Sequence, residues 1–213
     1  MGNDVELGCR CGKIHGVASD LLPRKLNRIV CYCDDCQAYL HYLGRADLFE
    51  PHSGTDIVQV APSAVTLDRG LENIVGLRLV PKGLHRWYAN CCKTPLGNTV
   101  TPSIPFIGMP MEVFRDAQEA HQRSELFGPV RALSLGKFAT DGPPVGSTHV
   151  HLGMIAHAAR LVLTWKLLGK TWPHPFFNQS TQAPIYPVTI LSATERDALR
   201  PKCGPNPKDF GTT

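Results

Sequence analysis

Seven of the eight cysteines fall within the first 92 residues, in three tight groups: Cys9 with Cys11, then Cys31, Cys33 and Cys36, then the adjacent Cys91 and Cys92. Thiols clustered this closely must be gathered by the fold into disulfides, a redox pair or metal sites. At 213 residues the chain can bury a core unaided, so it does not need disulfides to fold. The opening "MGNDVELGCRCG" lacks the basic and apolar regions of a signal peptide. Glu6 also stands where a myristoylation signal requires Ser or Thr. A cytoplasmic protein is therefore expected, and its thiols stay reduced, which favours metal or catalytic roles over disulfides.

Composition narrows the partners. The net charge of +4 is spread over the chain with no Lys/Arg run, so no nucleic-acid-binding face is expected. No apolar stretch reaches the roughly 18 residues needed to span a bilayer, so no membrane insertion is expected either.

Residues up to about 100 read as short strands. "KIHGVAS" and "DIVQVAPSAVTLDRG" have the β-branched, alternating texture of strands, and "IVGLRLV" and "LHRWYAN" flank the turn "PKG" as a hairpin leading to Cys91 and Cys92. "CQAYLHYLG" predicts a short helix capped by Gly44. "TPSIPFIGMPMEVF" has three prolines and no long helical pattern, whereas "DAQEAHQRSELFG" is helix-permissive as far as Gly128. The clearest helix spans about 150–168, with Lys166 in its last turn and Gly169 beyond it. Its polar residues His157, Arg160 and Thr164 form one narrow stripe on an otherwise apolar surface, which predicts a mostly buried helix, packed on its own domain or a partner subunit. The fold class expected is mainly β with zinc–thiolate sites, divided into a domain over 1–135 and a helical C-terminal extension over 136–213.

Zinc takes thiolates at about 2.3 Å in a tetrahedron. Cys9 and Cys11 supply one arm of such a site, and Cys91 and Cys92 offer a second. Cys31, Cys33 and Cys36 can supply three ligands and leave a fourth position open, as catalytic zinc sites do. Three thiolates on a divalent ion carry a net charge of about −1. The competing redox reading takes Cys33 and Cys36 as a C-x-x-C pair. Asp34 and Asp35 between them oppose the lowered thiol pKa which that chemistry needs.

In their order and spacing, "CRCGKIHG" at 9–16, "CYCDDCQAY" at 31–39 and "CCKTPLGN" at 91–98 resemble the glutathione-dependent formaldehyde-activating enzyme (GFA) family, also called centromere-protein-V-like. The similarity is strongest to its uncharacterised members with "CC-x-TP" and a C-terminal extension. The resemblance covers about half the chain and implies an Mss4-like β-tent. It implies a structural zinc on Cys9 and Cys11 and a catalytic zinc on Cys31, Cys33 and Cys36. It further implies carbon–sulfur lyase chemistry that joins a small thiol such as glutathione to a carbonyl compound. Cys33 is the residue whose replacement is expected to abolish that chemistry. The third motif departs from the family's C-x-x-C-G-[ST]-P: Ala89 stands at the first cysteine and Lys93 at the glycine. Cys91 therefore either takes over as fourth ligand, which needs a distorted turn, or the site is completed by something else.

Plainer readings stand beside these. Both zincs can be structural, with His41 closing the triplet. His149 and His151 form an H-x-H at a helix start, where capping is commoner than ligation, and Cys203 reads as an incidental thiol in an exposed tail. Asp34 and Asp35 read most simply as solvated turn residues, and Arg10, Lys13, Arg45, Arg86 and Lys93 as surface charges. Asn98 follows the third motif closely enough to line the site. Two functions remain: the lyase-type enzyme, and a non-enzymatic zinc module that binds a partner. A cleft at the triplet favours the first and an exposed apolar helix the second. Self-association through the 150–168 helix fits either.

Overall fold

The computed structural model describes residues 2–117, 119–148 and 152–205. Its strands are β1 (Asn3–Gly8), β2 (His15–Leu21), β3 (Asn27–Cys31), β4 (Thr55–Val60), β5 (Val65–Arg69), β6 (Ile74–Arg78), β7 (His85–Ala89), β8 (Pro95–Thr99), β9 (Ile107–Pro110), β10 (Ala132–Ser134) and β11 (Val188–Ile190). Its α-helices are α1 (Asp34–Leu43), α2 (Ala120–Phe127), α3 (Leu152–Leu167) and α4 (Ala193–Leu199). The strands form a three-stranded sheet, β1-β2-β5, and an eight-stranded sheet, β10-β3-β4-β9-β8-β7-β6-β11. The mainly β expectation holds.

The main core lies between the sheets. Val5, Leu7, Ala18 and Val65 of the small sheet meet Val58, Ile74, Trp87, Leu96 and Ile107 of the large one. Alternation sends Trp87 and Ala89 into this core, while Arg86 and Tyr88 point to the other face. α1 covers that second face, with Tyr39 edge-on to Tyr88 and its hydroxyl donating to the Trp87 carbonyl at 3.0 Å. Gly44 ends α1 in the left-handed region at φ 67, where its N–H reaches the His41 and Leu40 carbonyls, as predicted for a glycine just past the last turn.

Residues beyond 135 are woven into this body. β11 pairs in parallel with β6, and Phe176 stacks on Trp87 at 4.8 Å. α4 lies on α1, and Leu191 and Leu199 share a buried cluster with Tyr39 and Leu77. Cys203 is half-buried in this layer, its thiol donating to the carbonyls of Asp34 and Leu199 at 3.6 and 3.5 Å. That corrects its reading as an incidental thiol in an exposed tail; burial raises it to about 11.

α3 also departs from expectation. Only Leu161 and Trp165 are buried along it, while Leu152, Leu163 and Leu167 are 75%, 60% and 78% exposed. His157, read as part of the polar stripe, faces inward and pairs with the Leu26 carbonyl at 3.1 Å. The docked face is the one on which Leu161 and Trp165 pack with Ala61, and His157 meets the Leu26 carbonyl, which also accepts from Arg131 Nε at 3.2 Å. No described helix is long and apolar enough to cross a membrane.

Candidate metal centres

The loop between β1 and β2 is built to present sulfur. Gly12 at φ 75 closes a turn on the Cys9 carbonyl, and the Ile14 N–H donates to Cys9 Sγ at 3.3 Å. The opposing arm is the turn between β7 and β8. There Lys93 takes a left-handed φ of 57 and its N–H bonds the Ala89 carbonyl at 2.7 Å. That coiled turn swings two sequential side chains to one side, which an extended strand cannot do. Cys9, Cys11, Cys91 and Cys92 consequently gather with their sulfurs within 4.8 Å of one another. Cys9–Cys11, Cys11–Cys91, Cys9–Cys91 and Cys91–Cys92 are 3.6, 3.4, 3.9 and 3.9 Å apart. A tetrahedron with about 2.3 Å zinc–sulfur bonds has edges of about 3.8 Å, so this donor set fits a zinc-sized thiophilic ion. Both adjacent cysteines are in place, and the distorted turn is the feature that allows it.

Thr94, fully buried, ties the two arms together. Its hydroxyl lies 3.2 Å from Cys92 Sγ and accepts from the Arg10 N–H at 2.9 Å. Burial works to raise Cys92, but the Thr94 hydroxyl and the backbone N–H groups of Cys11 and Thr94 outweigh it and bring the thiol down to about 6.

Cys31, Cys33 and Cys36 form the second group, again with sulfurs within 4.8 Å of one another. Cys31 ends β3, Cys33 is the N-cap of α1, and Cys36 sits in the helix's first turn, its N–H donating to Cys33 Sγ at 3.4 Å. Behind them Arg86, only 1% exposed, points Nη1 at Cys36 Sγ from 3.8 Å and Nη2 at Asp35 from 3.8 Å. Hydrogen bonds to Cys31 and Cys33, and then the Arg86 guanidinium, hold Cys36 well below the ordinary thiol value against the effect of burial. The bonds to Cys31 and Cys36 push Cys33 up in turn. A helix start and a buried cation thus stabilise negative charge on Cys36. Three thiolates on a divalent ion leave about −1, which one guanidinium offsets.

Arg86, a surface charge as read from the sequence, is buried behind the triplet: the alternation of "HRWYA" places it on the face opposite Trp87 and Ala89, and α1 covers that face. Asn98 is its cross-strand neighbour and its carbonyl accepts from Nη1 at 3.5 Å, so Asn98 does back the site, at one remove.

His41 does not close the triplet. It lies edge-on to Phe49 at 5.2 Å, and among the described residues no fourth Cys, His, Asp or Glu joins the three thiols. Asp34 and Asp35 stand in the first turn of α1, Asp34 facing Arg200 at 3.6 Å. Arg45 is buried on Asp47 and Glu112 rather than exposed, Arg10 reaches Asp47 at 3.9 Å, and Lys93 reaches Asn90 at 2.6 Å. His149 and His151 lie outside the described residues.

A cavity of about 180 Å³ is lined by neighbours of both groups, though by none of their cysteines. Its lining includes Asp47, the partner of Arg10 in the first cysteine loop; Pro95, next to Thr94; Thr55, opposite Cys31 across β3–β4; and Leu40, one helical turn from Cys36.

A family model described as a family of unknown function, DUF6151, matches residues 1–186. No curated protein matches the chain.

Proposed function

The chain belongs to this DUF6151 family, whose description assigns no activity, and we propose from its chemistry that it is a zinc protein of two unequal centres. Cys9, Cys11, Cys91 and Cys92 hold a structural ion. Cys31, Cys33 and Cys36 would hold a second ion, and the reaction, as the resemblance to GFA proteins implies, joins a small thiol to a carbonyl compound. The observation that carries this is the triplet itself: three thiols at a helix start, backed by a buried guanidinium, with no fourth protein ligand among the described residues. A zinc ion there supplies Lewis acidity that keeps a thiol ionised at neutral pH.

The chain's own residues do the rest. Arg86 offsets the negative charge, and the first turn of α1 fixes the three sulfurs. In the net reaction a sulfur–carbon bond forms at the carbonyl carbon, the carbonyl π bond opens, and the thiol proton ends on the resulting hydroxyl. The reverse breaks the same bond.

Zinc per chain for the wild type and Cys33→Ser tests the reading. About two ions should fall to about one in a variant whose circular dichroism is unchanged, with thiol-dependent consumption of formaldehyde lost. One ion in both proteins overturns it.

A non-enzymatic zinc module is the second reading, favoured by the exposed Leu152, Leu163 and Leu167 of α3. Retention of formaldehyde chemistry at the uncatalysed rate with two zincs bound selects it.

A further inference from the structure

α3 inverts the usual pattern of a surface helix. Its docked side carries Leu161 and Trp165, packed with Ala61. A helix docked by one apolar face normally turns charged and polar residues to solvent. Here Leu152, Ile155, Ala156, Ala159, Leu163 and Leu167 recur at helical spacing on the opposite side, and all six are exposed. An apolar stripe of this extent facing water marks an interaction surface.

Charge says what covers it. Between Asp141 and Glu195 the chain has no carboxylate side chain, and its Lys and Arg residues there are Arg160, Lys166 and Lys170. At about 3.6 residues per turn, Arg160 falls at one margin of the stripe and Lys166 at the other. Both are exposed, and Lys166 Nζ donates to the Ser103 carbonyl at 3.5 Å. Of two grooves beside the helix, one is lined by Arg131 and the other by Lys25 and Lys170 with a single carboxylate, Asp20. The surface is therefore apolar along its middle and cationic along its edges. A second copy of the chain fits it poorly. A twofold contact centred on the stripe meets near Ala159 and sets Arg160 against Arg160, with no carboxylate on either helix between them.

We propose that α3 holds the protein flat on an anionic lipid bilayer, with the stripe in the boundary between headgroups and acyl chains and Arg160 and Lys166 extended to lipid phosphates. Long cationic side chains at the border of an apolar helix face reach headgroups in this way. At 16 residues the helix is about 24 Å long, so it lies on the membrane and does not cross it. This holds whether or not the triplet is catalytic.

The test is co-sedimentation of the full chain with vesicles of phosphatidylcholine alone and of phosphatidylcholine with phosphatidylglycerol in equal parts. The protein should pellet with the anionic vesicles, and raised salt should release it. Arg160→Gln and Lys166→Gln should each weaken binding about fivefold, the effect of one cation near such a surface. Leu163→Glu with Leu167→Glu should abolish it with circular dichroism unchanged. Lys82→Gln makes the same change in net charge on the β6–β7 turn, at the flank of the large sheet away from β3, beside which α3 lies; it should leave binding as it is. Equal pelleting with both vesicles, pelleting with neither, or a Lys82→Gln effect as large as that of Arg160→Gln overturns the proposal. A dimer in sedimentation velocity that Leu163→Glu dissociates, from protein that ignores vesicles, gives the face to a second copy and overturns it too.

Discussion

At Arg86 a full positive charge is buried against Cys36 and over the Tyr39 ring, 5.2 Å from its centroid. A lone buried cation is costly, so its presence implies a standing negative charge beside it. Arg86→Met keeps the bulk and removes the charge, and should weaken ion binding at the triplet about 10–100-fold, as loss of an outer-shell partner typically does. Chelator competition measures this, with the four-cysteine site of the same protein as internal reference. His174 gives a pH dependence independent of the thiols. Burial lowers it from 6.5 to about 4, its Nε2 has no partner among the described residues, and its Nδ1 accepts from the Phe176 N–H at 3.1 Å. The unfolded chain takes up this proton more readily, so the neutral histidine's contribution is fully present above pH 6.5 and is lost as pH falls towards 4. The loss amounts to about 3 kcal/mol. His174→Asn keeps an acceptor near Nδ1, removes the titration, and should flatten the denaturation midpoint across that window.

α3 sets packing against exposure within one element. Trp165→Ala removes a side chain buried beside Ala61 and Leu161 and should cost about 3–5 kcal/mol, whereas Leu163→Lys on the outer face should change monomer stability by less than about 0.5. Urea denaturation of the two variants checks the difference. The same helix shows where sequence reading stops. α1 was legible because Gly44 ends it, and the β6–β7 hairpin because "PKG" breaks two alternating runs. The inward turn of His157 was not legible, because the carbonyl it satisfies belongs to Leu26, 131 residues away. β9 was hidden for a related reason. Four residues that end on a proline carry little strand signal, and only pairing with β4 and β8 makes "IGMP" part of the sheet's middle. The cysteine groups were legible because their spacing is local. Their electrostatic setting was not, since Arg86 arrives from a strand 50 residues further on.

Across the whole molecule, the segment after residue 186 supports the candidate site from behind. β11 pairs with β6, α4 packs on α1, and the Gly204 N–H donates to Gln37 Oε1 at 2.7 Å, while Gln37 itself holds the carbonyls of Tyr32 and Phe138. Gln37 is the residue after Cys36, so the segment at Gly204 braces the turn that carries the thiols. Truncation after residue 186 should leave the four-cysteine ion in place and speed loss of ion from the triplet. Stopped-flow chelation on the truncated and full chains would show this as one fast phase and one unchanged phase.

The two flanks of the large sheet are closed late. β3 is made by residue 31 and waits for β10 at 132; β6 is made by residue 78 and waits for β11 at 188. During synthesis, at about 5–20 residues per second, each unpaired edge stays open for on the order of ten seconds. Exposed edges of this kind are templates for pairing with a neighbouring chain. The time the growing chain spends between those positions therefore sets its exposure to misassembly on crowded polysomes, and a slow stretch of message just ahead of residue 188 would prolong it.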